Sequence, residues 1–119
     1  MKLDLKAWIS KVTTLLQSLS YTNSETVYLD YCKVKRVGNV VNVWGQSTGG
    51  WSTTAGQYRA LTTLPTWARP SHEVVDTVEA YGNQQYQISI QITTSGTVNF
   101  YCGDATSWWR YNVTYIVGG

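Results

Sequence analysis

Apolar and polar residues alternate most regularly in two neighbouring segments of the second half of the chain. In residues 86–92, tyrosine and isoleucine alternate with glutamine and serine. In residues 97–102, Val98, Phe100 and Cys102 alternate with threonine, asparagine and tyrosine. A period of two is typical of strands that bury one face. Because a Thr-Ser-Gly turn separates the segments, we predict a β-hairpin with one apolar and one polar face.

Every patterned segment after residue 25 predicts a strand. The apolar phase reverses between Tyr31 and Cys32, which implies a β-bulge or a strand break there. Gly38 and Asn39 form a tight turn of the type that closes two-residue hairpins. The predicted strands cover residues 27–34, 40–46, 58–64, 74–81, 86–92, 97–102 and 109–117. Seven or eight short antiparallel strands predict a mainly β fold, a jelly-roll-like β-sandwich.

The first residues carry a helical period instead. Leucine, tryptophan and valine recur at alternating spacings of three and four residues, the pattern of a coiled-coil seam. The stripe consists of Leu5, Trp8, Val12, Leu15 and Leu19. We predict a short amphipathic helix over residues 4–19 and two domains: a helical segment, 1–20, for oligomerisation or docking, and a β-sandwich head, 21–119. The alternative is a helix that folds back on its own domain.

The segment from residue 61 to residue 70 reads L-T-T-L-P-T-W-A-R-P. Its two prolines fix φ at about −65° and remove two backbone donors, so we predict a rigid, extended loop that crosses between sheets. Leu64, Pro65, Arg69 and Pro70 form an L-P-x-x-x-R-P pattern between two strands, and the later hairpin and last strand follow it. This order resembles the C-terminal β-sandwich heads of bacteriophage fibre and baseplate receptor-binding proteins, with Trp67 in place of the usual Gly-Tyr pair.

The resemblance implies a virion protein of a phage or prophage, synthesised in the host cytoplasm. It implies a homotrimer that contacts other virion structural proteins, as a tail fibre or a head fibre. The expected function is non-enzymatic adhesion to a glycan of the host cell surface, or service as a structural fibre subunit.

The composition is consistent with such a surface. Charged residues make up only 13% of the chain, so the surface must consist largely of neutral hydroxyl and amide groups. The net charge is +2, and Lys33, Lys35 and Arg36 form the main basic cluster. A nucleic-acid surface needs many clustered cations, so we interpret this cluster as a solvated strand face and expect no nucleic-acid partner. No apolar run approaches a signal peptide or the ~20 residues of a membrane span, which predicts a soluble protein without membrane insertion.

Candidate catalytic and metal-binding residues are few. His72 is the single histidine, and its neighbour Ser71 does not by itself make a nucleophile and base pair. Cys32 and Cys102 lack the further ligands of a structural zinc site, and we interpret them as buried free thiols, with a disulfide as the alternative. We therefore expect no enzyme activity, no metal and no cofactor.

Aromatic residues at polar positions are the stronger signal. Trp51 lies in a glycine-rich loop, and Tyr101 and Trp108 fall on the polar phase of the strands that flank a loop containing Asp104. Flat aromatic faces suit the C–H face of a sugar ring, and nearby polar groups bind its hydroxyls. We predict a saccharide-binding site of these four residues, within a subunit or across an interface. The alternative is that they pin loops or pack between subunits.

Two other functions remain open from the sequence. A stand-alone carbohydrate-binding module of a bacterial protein would be a monomer. A fragment of a virion polysaccharide depolymerase would use acids such as Glu73, Asp76 and Glu79, although such acids usually lie in a deep cleft.

Overall fold

The computed structural model describes residues 6–11, 25–80 and 86–117. Residues 6–11 form a short helix, α1, with exposed side chains at Trp8 and Ile9. The other members of the predicted stripe, Leu5, Val12, Leu15 and Leu19, lie outside the described residues. Eight strands follow: β1 (Glu25–Leu29), β2 (Cys32–Val37), β3 (Val40–Thr48), β4 (Gln57–Thr63), β5 (Val74–Ala80), β6 (Gln87–Ile92), β7 (Thr97–Cys102) and β8 (Trp108–Ile116). The predicted mainly β fold is confirmed. None of the described helical residues forms a segment long and apolar enough to cross a bilayer.

The strands form one antiparallel sheet in the order β1-β2-β3-β8-β5-β6-β7-β4. The β5–β8 pairing is the shortest, with Glu79 opposite Arg110 and Ala80 opposite Trp109. We call the strands on one side of this junction the first half (β1, β2, β3, β8) and those on the other the second half (β5, β6, β7, β4). β7 and β8 are not neighbours in the sheet, yet the rings of Phe100 and Trp109 lie 4.7 Å apart. The sheet therefore curls so that its halves face each other across a shared core.

The reversal of the apolar phase between β1 and β2 is explained by a tight turn. Leu29 pairs with Cys32, so the chain reverses at residues 30 and 31, with Tyr31 in the left-handed region at φ 56°. This turn is the strand break that the phase reversal predicted. Because β2 starts anew after the turn, Cys32 and Val34 point into the core while Lys33 and Lys35 stay exposed.

The proline loop joins β4 and β5, the two edge strands of the second half. Pro65 precedes a single 3₁₀ turn at Thr66–Ala68, a position where its missing amide hydrogen costs nothing. The first half holds the loop: Arg36 Nη1 donates a hydrogen bond to the Trp67 carbonyl at 2.7 Å, and the Tyr115 hydroxyl donates to the Ala68 carbonyl. The loop thus connects opposite edges of one half while it packs against the other. This arrangement, with β4 beside β7, is a Greek key.

The core follows the predicted apolar phases. Ile88, Ile90, Phe100, Val113 and Tyr115 are buried, as the alternation predicted. The interior also contains both cysteines as free thiols, on β2 and β7.

Candidate ligand-binding site

Trp51 is held inside its loop by the core rather than presented to solvent. Its ring makes edge contacts with Phe100 at 5.4 Å and Trp109 at 5.6 Å, and the Arg59 guanidinium lies 4.4 Å from its centroid. Its amide donates to Ser47 Oγ at 3.0 Å, and its carbonyl accepts from Trp109 Nε1 at 3.0 Å. These contacts order the glycine-rich loop, so the half-buried Trp51 closes one end of the core.

The loop containing Trp51 is joined to the loop containing Asp104. The Thr53 amide donates to the Thr106 carbonyl at 2.8 Å, and Thr53 Oγ1 donates to the Asp104 carbonyl at 2.8 Å. Asp104 itself is exposed beside this junction. The structure therefore brings two of the four predicted site residues to the same end of the molecule.

The other two predicted residues lie on outer faces of different halves. The ring of Tyr101 on β7 contacts that of Tyr58 on β4 in a tilted arrangement, with ring centroids 5.0 Å apart. Trp108 begins β8 and is 42% exposed. Two strands, β5 and β6, separate β7 from β8, which corresponds to about 14 Å across the sheet. Convergence of all four residues across a subunit interface stays a prediction.

The structure reveals a different aromatic and polar surface on the outer face of the first half. Tyr28, Lys33, Trp44 and Asn112 are successive partners on β1, β2, β3 and β8. We call these four residues the cross-strand row. Directly opposed residues have Cβ atoms about 4.5–5.5 Å apart, so the row is continuous. Tyr28 is 71% exposed, and the Lys33 ammonium lies 5.5 Å from its ring centroid.

Two concavities flank the outer end of this row, on either side of Arg110 and Asn112. One, of about 380 Å³, lies where β5 and β8 diverge beyond their short pairing. The other, of about 530 Å³, lies where β2 begins at Cys32 and β3 continues past it through Gly45. We call the pair the outer groove. Its lining residues are Leu29, Tyr31, Cys32, Lys33, Trp44, Gly45, Gln46, Thr77, Val78, Glu79, Arg110, Tyr111 and Asn112.

The charged groups of the outer groove are partly fixed. Arg110 Nε and Nη2 donate to the two carboxylate oxygens of Glu79 at 2.8 and 3.2 Å. The Arg110 hydrogen bonds hold the pKa of Glu79 below its usual value, and the positive charge adds to this effect. Glu79 therefore stays ionised at neutral pH and holds the Arg110 guanidinium through two hydrogen bonds.

The two buried titratable side chains that line the groove, Cys32 and Tyr111, have raised pKa values. Burial raises the pKa of the Cys32 thiol, and a hydrogen bond with Tyr111 offsets part of the effect. Burial also raises the pKa of the Tyr111 hydroxyl, which donates to the Tyr31 carbonyl at 3.1 Å. Both groups are protonated at neutral pH, so the interior behind the groove is uncharged.

Sequence reasoning missed the outer groove, although one signal was present. Trp44 falls on the polar phase of β3 together with Asn42 and Gln46, as Trp108 does on β8. Its role depends on Lys33 and Asn112, which are distant in sequence and become neighbours only through strand pairing. Arg110 likewise lies in the groove beside Glu79 because β5 pairs with β8, which the sequence does not show.

The described residues include possible metal ligands. Among them, no group of three or more His, Cys, Asp or Glu side chains is placed to hold a metal ion. A scan against protein-family models finds no match, and a search of curated proteins finds none either.

Proposed function

We propose that this chain is a non-enzymatic attachment domain that binds a host cell-surface saccharide through the outer groove, as the head of a phage or prophage fibre or baseplate protein. The observation that carries the proposal is the cross-strand row, in which Tyr28 and Trp44 alternate with Lys33 and Asn112 beside two open concavities.

The cross-strand row and its neighbours combine an aromatic face with hydrogen-bonding groups, and both kinds of group bind sugar rings. The indole of Trp44 is half-buried, so its position is set by its neighbours. Such a pre-ordered aromatic face can cover the C–H face of a sugar ring with little loss of side-chain entropy. Asn112, Gln46 and Arg110 line the same groove and supply amide and guanidinium groups for hydroxyl oxygens.

The groove is shallow and open, which suits a surface glycan better than a deeply enclosed substrate. A site of this kind gives weak affinity, so several copies on one particle would supply useful binding through avidity. The predicted homotrimer and its contacts with other virion proteins would provide those copies. The resemblance of the Leu64–Pro70 loop to phage fibre heads supports this setting.

A matched pair of exposed tyrosines tests the proposal. Tyr28 lies in the cross-strand row, and Tyr58 lies on the outer face of the second half at 59% exposure. The experiment is glycan-array binding followed by calorimetry for the wild type, Trp44→Ala, Tyr28→Ser and Tyr58→Ser. Each variant is first checked for folding by circular dichroism.

We expect the wild type to bind a subset of glycans, Tyr58→Ser to bind equally well and Tyr28→Ser to bind more weakly. Trp44→Ala should bind at least about tenfold more weakly, because aromatic anchors carry much of the binding energy. A wild type that binds no glycan, or a Trp44→Ala variant that binds normally, would overturn the proposal. Glycan turnover that requires Glu73, Asp76 or Glu79 would instead identify a depolymerase.

A further inference from the structure

We infer that the saccharide in the outer groove is acidic, with a sugar carboxylate contacting Lys33 and Lys35 while a ring lies against Trp44. This inference rests on the proposed function and adds the ligand's chemical class.

The first observation is the separation of charge between the two outer faces. Among the described outer positions of the first half, three are cationic, Lys33, Lys35 and Arg110, and none is a carboxylate. The outer positions of β5, β6 and β7 include Glu79 and no lysine or arginine, and the exposed Arg59 of β4 lies over the ring of Trp51. The cations at the outer positions of the first half thus have no carboxylate at the outer positions of their own half, and the groove lies on this face.

The second observation is the position of the two lysines. Lys33 is the direct cross-strand partner of Trp44, and Lys35 is the partner of Asn42. The lysines lie about 7 Å apart along the strand and point to the same side. A carboxylate on a sugar ring that covers Trp44 would therefore reach both ammonium groups.

The third observation concerns which cations are available. The Arg110 guanidinium is paired with Glu79 by two hydrogen bonds. Lys33 contacts the ring of Tyr28, and in the described part of the chain neither Lys33 nor Lys35 forms an ion pair with a carboxylate. An anionic ligand would supply the missing negative charge, with hydrogen bonds stronger than those between neutral groups.

A saccharide fits this surface better than a polynucleotide. A nucleic-acid strand carries a charge at every phosphate and needs a track of cations along it. Here the two available cations are close together on β2, Lys33 within the row and Lys35 beside it, and the nearby outer positions Asn42, Thr114 and Gln46 are neutral. This pattern matches one or two carboxylates on an otherwise uncharged ligand.

The test is an array of uronic-acid and sialic-acid oligosaccharides, each printed beside its methyl ester, with an oligothymidylate as the nucleic-acid probe. The esters keep the ring and its hydroxyls but remove the charge. The variant is Lys33→Gln with Lys35→Gln. The matched control is Lys6→Gln with Lys11→Gln, which removes the same charge from two exposed positions of α1.

We expect the wild type and the Lys6/Lys11 control to bind acids at least about tenfold more tightly than their esters, a preference that weakens as salt screens the charges. The Lys33/Lys35 variant should lose the preference and retain binding to the esters. If acids and esters bind equally and both depend on Trp44, the inference falls and the proposed function stands. If no saccharide binds, both fall, and preferential binding of the oligothymidylate also overturns the inference.

Discussion

Trp109 Nε1 donates a hydrogen bond to the main-chain oxygen of Trp51 at 3.0 Å, and the two rings meet edge to face with centroids 5.6 Å apart. One fully buried indole thus fixes both the backbone and the side chain of a residue in a glycine-rich loop. The contact gives Trp51 a structural role, which is the alternative that the sequence left open for this residue.

We predict that Trp51→Ala lowers the free energy of unfolding by roughly 2–4 kcal/mol, because it removes ring contacts with Phe100 and Trp109 and opens one end of the core. Urea unfolding followed by circular dichroism measures the effect. Trp108→Ala is the control, since Trp108 is 42% exposed and its loss should cost less than about 1 kcal/mol. Equal stability of the two variants would contradict the structural role of Trp51.

The fold was predictable where one face of a strand is buried. Isoleucines at 88, 90 and 92 and the aromatic and valine residues at 109–117 alternate without interruption, and each apolar phase is buried as predicted. Alternation specifies which side chains point inward, because a shift of one residue would exchange the two faces. It does not specify which strands are neighbours, so the β3–β8 and β4–β7 pairings could not be derived.

The site was less predictable for the same reason. Tyr101 and Trp108 were correctly expected to be exposed, but the sheet order places them on different halves. Trp44 and Lys33 are eleven positions apart in the chain and become direct partners through the β2–β3 register. A binding surface built across strands is a property of pairing, which a single sequence encodes only indirectly.

The oligomeric state remains a prediction from the helical stripe. We expect size-exclusion chromatography with light scattering to give about three times the 13.4 kDa chain mass. Trp8 and Ile9 on α1 are 61% and 56% exposed, and the predicted trimer would bury them against partner subunits. Replacing Leu5, Val12 and Leu19 with serine should weaken assembly, since each buried aliphatic side chain contributes roughly 1.5–3 kcal/mol.

The control for assembly is Lys6→Gln with Lys11→Gln, which alters the same helix without removing apolar side chains. This variant should keep the mass of the wild type. A wild-type monomer at micromolar concentration would show that the stripe does not drive assembly.

Alkaline pH should destabilise the protein because three of its buried side chains have raised pKa values in the folded state. Burial raises the folded-state pKa of Cys32, Tyr111 and Tyr115 above ordinary values of 9.0 for cysteine and 10.0 for tyrosine. Above about pH 9 the unfolded chain loses these protons first while the folded chain keeps them. Stability is therefore fully present below this range and falls as the pH rises, by up to about 1.4 kcal/mol per pH unit for each such group.

Urea unfolding midpoints measured from neutral to strongly alkaline pH quantify this loss of stability. The Tyr111→Phe variant shows how much of the loss comes from Tyr111. The variant lacks the hydrogen bond to the Tyr31 carbonyl, which lowers stability at every pH. It also lacks one titrating hydroxyl, which should make the alkaline decline shallower. A decline as steep as that of the wild type would mean that Tyr111 does not contribute to it.

Gly45 provides the sharpest test of the outer groove, because the β1–β2 turn lies directly against it. A Cβ at this position would lie 2.0 Å from the Tyr31 carbonyl oxygen and 3.1 Å from the Tyr111 hydroxyl oxygen. Backbone atoms cannot move aside as a flexible side chain can, so Gly45→Ala must push the turn away from β3. We expect the free energy of unfolding, measured in urea, to fall by about 1–3 kcal/mol or more.

Gly103→Ala is the matched control, since its Cβ would meet no described atom within 4 Å. This control should unfold at the same urea concentration as the wild type or slightly higher, because alanine restricts the unfolded chain. If the Gly45 variant were as stable as the Gly103 variant, the close approach of Tyr31 to β3, and with it the shape of the groove, would be wrong.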